Sequence, residues 1–125
     1  MRNFEVHFDC LPDKRLYENA VRSSNHFGTT RGPEKRAKKK AYRIFWDLGI
    51  TPIIDKFELR VVFVFPDKRV KDLTGLLSGI KPWVDGMVEA EFVKKDDWEH
   101  LVKLTVEPEY KKGESDTIFF IKEVE

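Results

Sequence analysis

The chain has 125 residues, of which 41% are hydrophobic and 36% are charged, and this suits one globular domain with a densely charged surface. No apolar run approaches the roughly 20 residues of a membrane span, and the first residues lack the apolar core of a signal peptide. The chain holds a single cysteine, Cys10, which excludes an internal disulfide, so we expect a cytoplasmic protein.

The charges are unevenly distributed along the chain. The formal net charge is only +1, but residues 1–70 carry 15 Lys or Arg against 9 Asp or Glu, and residues 71–125 carry 8 against 13. A protein that contacts a polyanion with one part and holds cations with another would show this separation. A merely solubilising surface gives the same pattern.

The first part of the chain combines a short strand with a long segment that lacks periodicity. Residues 3–8 alternate apolar and polar side chains, which predicts a strand. Residues 11–32 are predicted to be a long loop or arm, with one short helical turn near residues 16–21, and such loops are usually functional or disordered. We interpret His26 in this segment, and likewise His7 and His100, as surface histidines rather than metal ligands.

A strongly basic helix is predicted to follow. Pro33 suits its first turn, and Gly49 suits its C-terminal cap. Its predicted buried stripe consists of Ala37, Ala41, Ile44, Phe45 and Leu48. Residues 31–43 carry seven positive charges against one negative. Backbone phosphates favour such a cluster, so we predict DNA contacts here, with an ordinary solvated helix face as the alternative. The cations of the predicted helix are Lys35, Arg36, Lys38, Lys39, Lys40 and Arg43.

The middle of the chain predicts a central strand and a second helix. Residues 56–65 alternate apolar side chains and end in a fully apolar run, which is typical of a strand buried on both faces, and Pro66 ends it. Apolar residues with a 3.6-residue period then predict a helix from Asp72 to Val88. Pro82 favours a break in it after Lys81, so a solvated lysine at a kink is the alternative to a chemical role for Lys81. Asp72 lies where a carboxylate caps the first turn, so capping is the alternative to any chemical role for this residue.

The last part of the chain predicts two more strands, residues 101–107 and 117–124, joined by a turn near residues 112–113. We therefore predict an α+β fold, in which residues 1–125 form one domain with a mixed four-stranded sheet and two main helices packed on it. Trp83 and Trp98 either belong to the core or a dimer interface, or stack on unpaired bases.

Residues 65–97 resemble the core motif of the RusA-like family of Holliday junction resolvases. The matches are Pro66 and Asp67, the basic run of Lys68, Arg69 and Lys71, the pair Asp72 and Leu73, the four-residue spacing of Lys81 and Asp85, and the pair Asp96 and Asp97. Thr74 and Gly75 stand where the family has a second aspartate and an asparagine.

The resemblance implies a homodimeric, metal-dependent endonuclease of phage or prophage type that resolves branched DNA in recombination and repair. It implies catalytic roles for Asp72, Asp97 and Lys81, and Mg²⁺ or Mn²⁺ bound by Asp72, Asp97 and Asp96. Such an ion would activate water and shield the charge on phosphate oxygens. DNA contacts are expected from Lys68, Arg69 and Lys71.

Three functional hypotheses follow from these patterns. The first is a structure-selective endonuclease that cleaves four-way junctions or other branched DNA. The second is a protein that binds branched DNA but cleaves it poorly, because Thr74 lacks the charge that a hard cation favours, unless Asp67 replaces it. The third is a small protein-interaction module.

Overall fold

A computed structural model of the chain describes residues 1–16 and 31–125. Four strands, three α-helices and one short 3-10 helix are present in these residues. In chain order they are β1 (Asn3–His7), the 3-10 helix (Lys14–Leu16), α1 (Arg31–Trp46), β2 (Lys56–Phe65), α2 (Leu73–Gly79), α3 (Lys81–Glu89), β3 (Leu101–Tyr110) and β4 (Asp116–Val124).

The described strands form a four-stranded sheet in the order β1-β4-β2-β3. Strand β2 is parallel to β3 and antiparallel to β4, and β1 is antiparallel to β4. This confirms the predicted α+β class and the mixed sheet. The connection from β2 to β3 runs through α2 and α3, because parallel neighbours need a crossover.

Strand β2 is the central strand that its apolar run predicts. Phe57, Val61 and Phe63 are completely buried in the main core under the helices. On the opposite face, Val62 and Val64 pack with Ile118 of β4 in a second, smaller cluster. Apolar side chains therefore lie on both faces of this strand, as predicted.

The helix predicted from Asp72 to Val88 is two helices. Ile80 ends α2 and begins α3, and its N–H donates to the carbonyl of Leu77 at 3.2 Å. Pro82 lies in the first turn of α3. N–H groups in a first turn have no acceptor within the helix, so a proline is tolerated there. The apolar period continues across the break, and this is why the pattern predicts one helix.

Helix α1 begins at Arg31, before Pro33, and ends at Trp46. Gly49 then adopts a φ of 74°, as a glycine beyond a helix C-terminus often does. Ala41 and Phe45 are buried as predicted. The prediction was wrong for Leu48, which lies beyond the helix and is 45% exposed.

The aromatic core joins the helices to the sheet. The ring of Phe8 stacks on Trp83 of α3 with centroids 4.2 Å apart and meets Phe119 of β4 edge-on at 4.7 Å. Trp83 is therefore a core residue. Trp98, in contrast, is 83% exposed.

Element boundaries differ slightly from those predicted. Strand β1 ends at His7, although Phe8 is still buried, and β3 continues to Tyr110. Of the segment predicted as a loop over residues 11–32, residues 17–30, including His26, lie outside the described residues. No helix within the described ranges is long and apolar enough to cross a membrane.

Candidate nucleic-acid interface

Four cationic side chains of α1 line one groove beside the end of β1. Residues 36, 39, 40 and 43 follow the helical spacing i, i+3, i+4 and i+7, so they share one face. The groove has a volume of about 550 Å³. Its lining, which we call the basic groove, consists of His7, Phe8, Asp9, Arg36, Lys39, Lys40, Arg43, Ile44 and Asp47.

The cations of the basic groove differ in their solvent exposure and in their hydrogen-bond partners. Arg36, Lys39 and Arg43 are exposed, whereas Lys40 is half-buried and donates from Nζ to Cys10 Sγ at 2.9 Å. The lining carries four cations against the carboxylates of Asp9 and Asp47. Its formal charge is therefore positive even with His7 neutral, and three of the four cations are open to a ligand.

The wall contributed by β1 is fixed by a carboxylate of β4. Asp116 accepts a hydrogen bond from His7 Nδ1 at 2.6 Å, and its other oxygen accepts the Asp9 N–H at 2.8 Å. Asp9 has a φ of 61°, a left-handed conformation that this hydrogen bond supports. Hydrogen bonds to Asp116 first and Glu5 second raise the pKa of His7.

The remaining predicted cations of α1 lie outside the groove. Lys35 is exposed, and Lys38 forms an ion pair with Glu89 of α3, with Nζ and Oε2 2.8 Å apart. That carboxylate raises the pKa of Lys38. Lys38 therefore joins the two helices rather than facing the groove.

Two of the three cations in the basic loop after β2 are paired with its own aspartate. The Asp67 carboxylate contacts Arg69 at 2.9 Å and Lys71 at 2.8 Å. These hydrogen bonds, that of Arg69 foremost, hold the pKa of Asp67 well below its usual range. The ammonium of Lys68 lies 5.1 Å from the ring centre of Tyr110. Asp67 is thus engaged by the cations of its own loop.

Asp72 caps α2, which was the alternative interpretation of this residue. Its Oδ1 accepts the Gly75 N–H at 3.1 Å and the Thr74 hydroxyl at 2.9 Å. The backbone hydrogen bond from Gly75 is the main cause of the lowered pKa of Asp72. The local sequence explains this geometry, because a carboxylate before the first helical turn satisfies an N–H group that has no partner within the helix.

Asp97 belongs to a different cluster at the start of β3. Its Oδ1 lies 2.5 Å from His100 Nδ1, and this contact is the main cause of the lowered pKa of Asp97. The other ring nitrogen of His100 lies 3.4 Å from Asp55, just before β2. The carbonyl of His100 accepts the Phe57 N–H at 2.8 Å, which fixes this cluster beside the beginning of β2.

The fold places Asp72 and Asp97 at opposite ends of the parallel strands. Asp72 follows the end of β2, and Asp97 precedes the start of β3 beside the beginning of β2. Ten residues of strand extend roughly 30 Å. The described residues include no group of three or more His, Cys, Asp or Glu able to hold a metal ion. The ligand set predicted for Mg²⁺ therefore does not fit within one chain.

Three other motif residues do meet. Lys81 Nζ lies 2.7 Å from Asp96 Oδ2 and 2.9 Å from Asp85 Oδ1. Hydrogen bonding to Asp96 is the largest cause of the raised pKa of Lys81. The four-residue spacing of Lys81 and Asp85 is thus an ion pair on α3, and Asp96 closes it from the loop before β3.

Sequence reasoning missed the acidic and thiol groups around the basic groove. Asp9, Cys10 and Asp47 carried no periodic or motif signal of a site, and Asp116 lay just before the predicted last strand. A feature that marks Asp9 is its positive φ, which becomes visible when the backbone is known.

A scan against protein-family models and a search of curated proteins found no match for this chain. The resemblance to the RusA-like family therefore depends on the motif residues themselves.

Proposed function

We propose that this protein binds the sugar-phosphate backbone of nucleic acid in the basic groove. The observation that carries the proposal is the alignment of Arg36, Lys39 and Arg43, all exposed, along one face of α1. Seven residues of helix rise about 10 Å, and a duplex advances about 3.4 Å per phosphate along one strand. The row of cations is thus long enough to contact successive phosphates of one strand.

Backbone contacts of this kind supply affinity without sequence preference, because lysine and arginine release counterions from any polyanion. The motif resemblance makes branched DNA, such as a four-way junction, the first ligand to test. Duplex and single-stranded DNA of equal length are the comparison ligands.

The experiment compares two triple variants with equal loss of charge. The groove variant carries Arg36→Gln, Lys39→Gln and Arg43→Gln. The control carries Lys94→Gln, Lys95→Gln and Lys112→Gln. These lysines are also exposed but do not line the groove. We expect the groove variant to bind a labelled four-way junction about tenfold or more weakly at low salt, and the control to change little. Equal losses in both variants would overturn the proposal.

Metal-dependent cleavage of branched DNA is a second candidate. The observation that favours it is the convergence of the motif residues Lys81, Asp85 and Asp96. Because one chain separates Asp72 from Asp97, an ion shared by these two carboxylates would need two copies of the chain.

Mg²⁺-dependent nicking of a synthetic junction tests this candidate. We expect Asp72→Asn and Asp97→Asn to abolish nicking separately, and a mixture of the two variants to regain part of it, since a site between copies can then hold both native carboxylates. Junction binding without nicking at any Mg²⁺ or Mn²⁺ concentration would leave the binding function alone.

A further inference from the structure

Strand β3 lies at an edge of the described sheet, paired with β2 along one side. Large apolar side chains are exposed here: Val102 at 49%, Leu104 at 45% and Tyr110 at 46%, with Trp98 just before the strand. A long exposed edge with apolar side chains is a template for pairing with another strand.

The backbone groups that point away from β2 can be identified. The Lys111 N–H donates to the Phe65 carbonyl at 3.0 Å, and Phe65 is in register with Tyr110. In a regular parallel ladder, odd-numbered residues of β3 therefore turn their N–H and C=O toward β2, and even-numbered residues turn theirs outward. The outward N–H and C=O groups of Leu104 and Val106 accordingly have no partner strand among the described residues.

Two features limit the usable edge to residues 103–107. The register of β2 and β3 shifts between Phe57 and Glu58, so that Val102 is an extra residue on the β3 side. Pro108 has no N–H to donate at an outward position. A strand that pairs with this edge would thus form only a short ladder of hydrogen bonds. The ladder would end at Val102 in one direction and at Pro108 in the other.

We propose that a second copy of this chain pairs with this edge, antiparallel, about a two-fold axis at Thr105. Leu104 of each copy then faces Val106 of the other, and the two pairs exchange four backbone hydrogen bonds. Both side chains lie on the helix side of the sheet, because Leu104 is in register with Leu59 and Val106 with Val61. The two sheets become one continuous sheet.

Charge complementarity favours a second copy as the occupant. In this register Lys103 of each copy faces Glu107 of the other copy. Both are non-hydrogen-bonded antiparallel pairs, in which the facing side chains lie close together. Within one chain, Glu58 of β2 is in register with Lys103 and with Lys122 of β4. The charges therefore alternate in sign across the interface. Lys122, Glu58 and Lys103 of one copy are followed by Glu107 of the second copy. This inference does not depend on nucleic-acid binding.

Cross-linking at the axis tests the register directly. Thr105→Cys is built in a Cys10→Ser background, and the facing Cα atoms of such a pair lie about 4.5 Å apart, a distance that a disulfide spans. Val102→Cys in the same background is the control, because its two copies would lie roughly 20 Å apart. We expect mild oxidation to convert T105C to a covalent dimer about tenfold faster than V102C. Equal rates, or preferential cross-linking of L104C, would overturn the arrangement.

Exchange of the facing charges provides an independent test of the partner. Light scattering after size separation gives the dimer dissociation constant at micromolar concentrations. We expect Lys103→Glu alone and Glu107→Lys alone to weaken the dimer by about tenfold. The double exchange should restore part of it, because Glu107 also pairs with Arg60 at 2.8 Å and Lys103 lies in register with Glu58 within each chain. Wild-type protein that remains monomeric would overturn the proposal, as would a double exchange no stronger than either single variant. Should a single variant fail to fold, the cross-linking result decides.

Discussion

Gly86 of α3 lies directly against Lys38 of α1, so that a Cβ at position 86 would be 2.5 Å from the Lys38 carbonyl oxygen. The same Cβ would be 2.8 Å from the Ala41 side chain. The two helices cross at this point, and the contact fixes the side of α1 opposite to the basic groove. The orientation of the groove cations thus depends on a glycine.

Gly86→Ala is expected to destabilise the fold strongly. The neighbours include backbone atoms of Lys38 and Tyr42, which cannot move without shifting a helix. We therefore expect a loss of roughly 1–3 kcal/mol in the free energy of unfolding. The matched control is Gly32→Ala, where the Cβ would meet the flexible Arg36 side chain at 3.2 Å. Denaturant titration measures both variants, and equal stability of G86A and wild type would contradict the close packing.

Asp72 is expected to stabilise α2 as a cap, whatever its chemical role. Asp72→Ala removes the acceptor of the Gly75 N–H and should cost about 1 kcal/mol of stability, whereas Asp72→Asn keeps an acceptor and should cost a few tenths at most. Urea unfolding distinguishes the two variants. If both variants are as stable as the wild type, the capping hydrogen bond does not contribute to the free energy of unfolding.

Stability should depend on pH through His7. Asp116 and Glu5 raise its pKa above 6.5, so protonated His7 stabilises the folded state fully below the unfolded pKa, and this contribution is lost as pH rises through the folded pKa. We expect wild type to lose stability between about pH 6 and pH 8 more steeply than His7→Gln. NMR titration of the His7 ring gives the pKa, and a value below 6.5 would contradict the geometry.

Thr74→Asp tests whether the end of β2 has the capacity to gain a cation site. Thr74 Oγ1 lies 2.9 Å from Asp72 Oδ1, and a second carboxylate so close would repel the first. We expect the variant to be less stable than wild type in chelator and to regain its Tm on addition of Mg²⁺. Thr74→Asn, which adds no charge, is the control and should show no such recovery. Identical Mg²⁺ responses in both variants would argue against a cation site at this position.

The sequence predicted the central strand well, because the signal is local. Residues 56–65 form a strand with the predicted bounds. The apolar alternation lies within these residues, and the proline that ends the strand follows them directly. Pro82 indicated a break in the second predicted helix, and the structure places it at Ile80, although the apolar period continues through this point. The spacing of Leu48 fitted the buried face of the helix, but the helix ends at Trp46. Helical spacing does not predict the burial of a residue that lies beyond the last turn.

The relation between Asp72 and Asp97 required the topology. The motif suggested that the two carboxylates converge, yet they flank a crossover between parallel strands. A crossover necessarily returns the chain from one end of the sheet to the other, so its first and last residues lie far apart. Whether β3 runs parallel or antiparallel to β2 cannot be inferred from its alternation, which is identical in both cases.

The salt dependence of junction binding is the sharpest test of nucleic-acid binding in the basic groove. Each phosphate contact contributes about 0.9 to the slope of log affinity against log salt. If Arg36, Lys39 and Arg43 contact phosphates, the groove variant should bind a four-way junction with a slope about 2 to 3 shallower than wild type. Parallel slopes for wild type, groove variant and the Lys94, Lys95 and Lys112 control would contradict nucleic-acid binding in the basic groove.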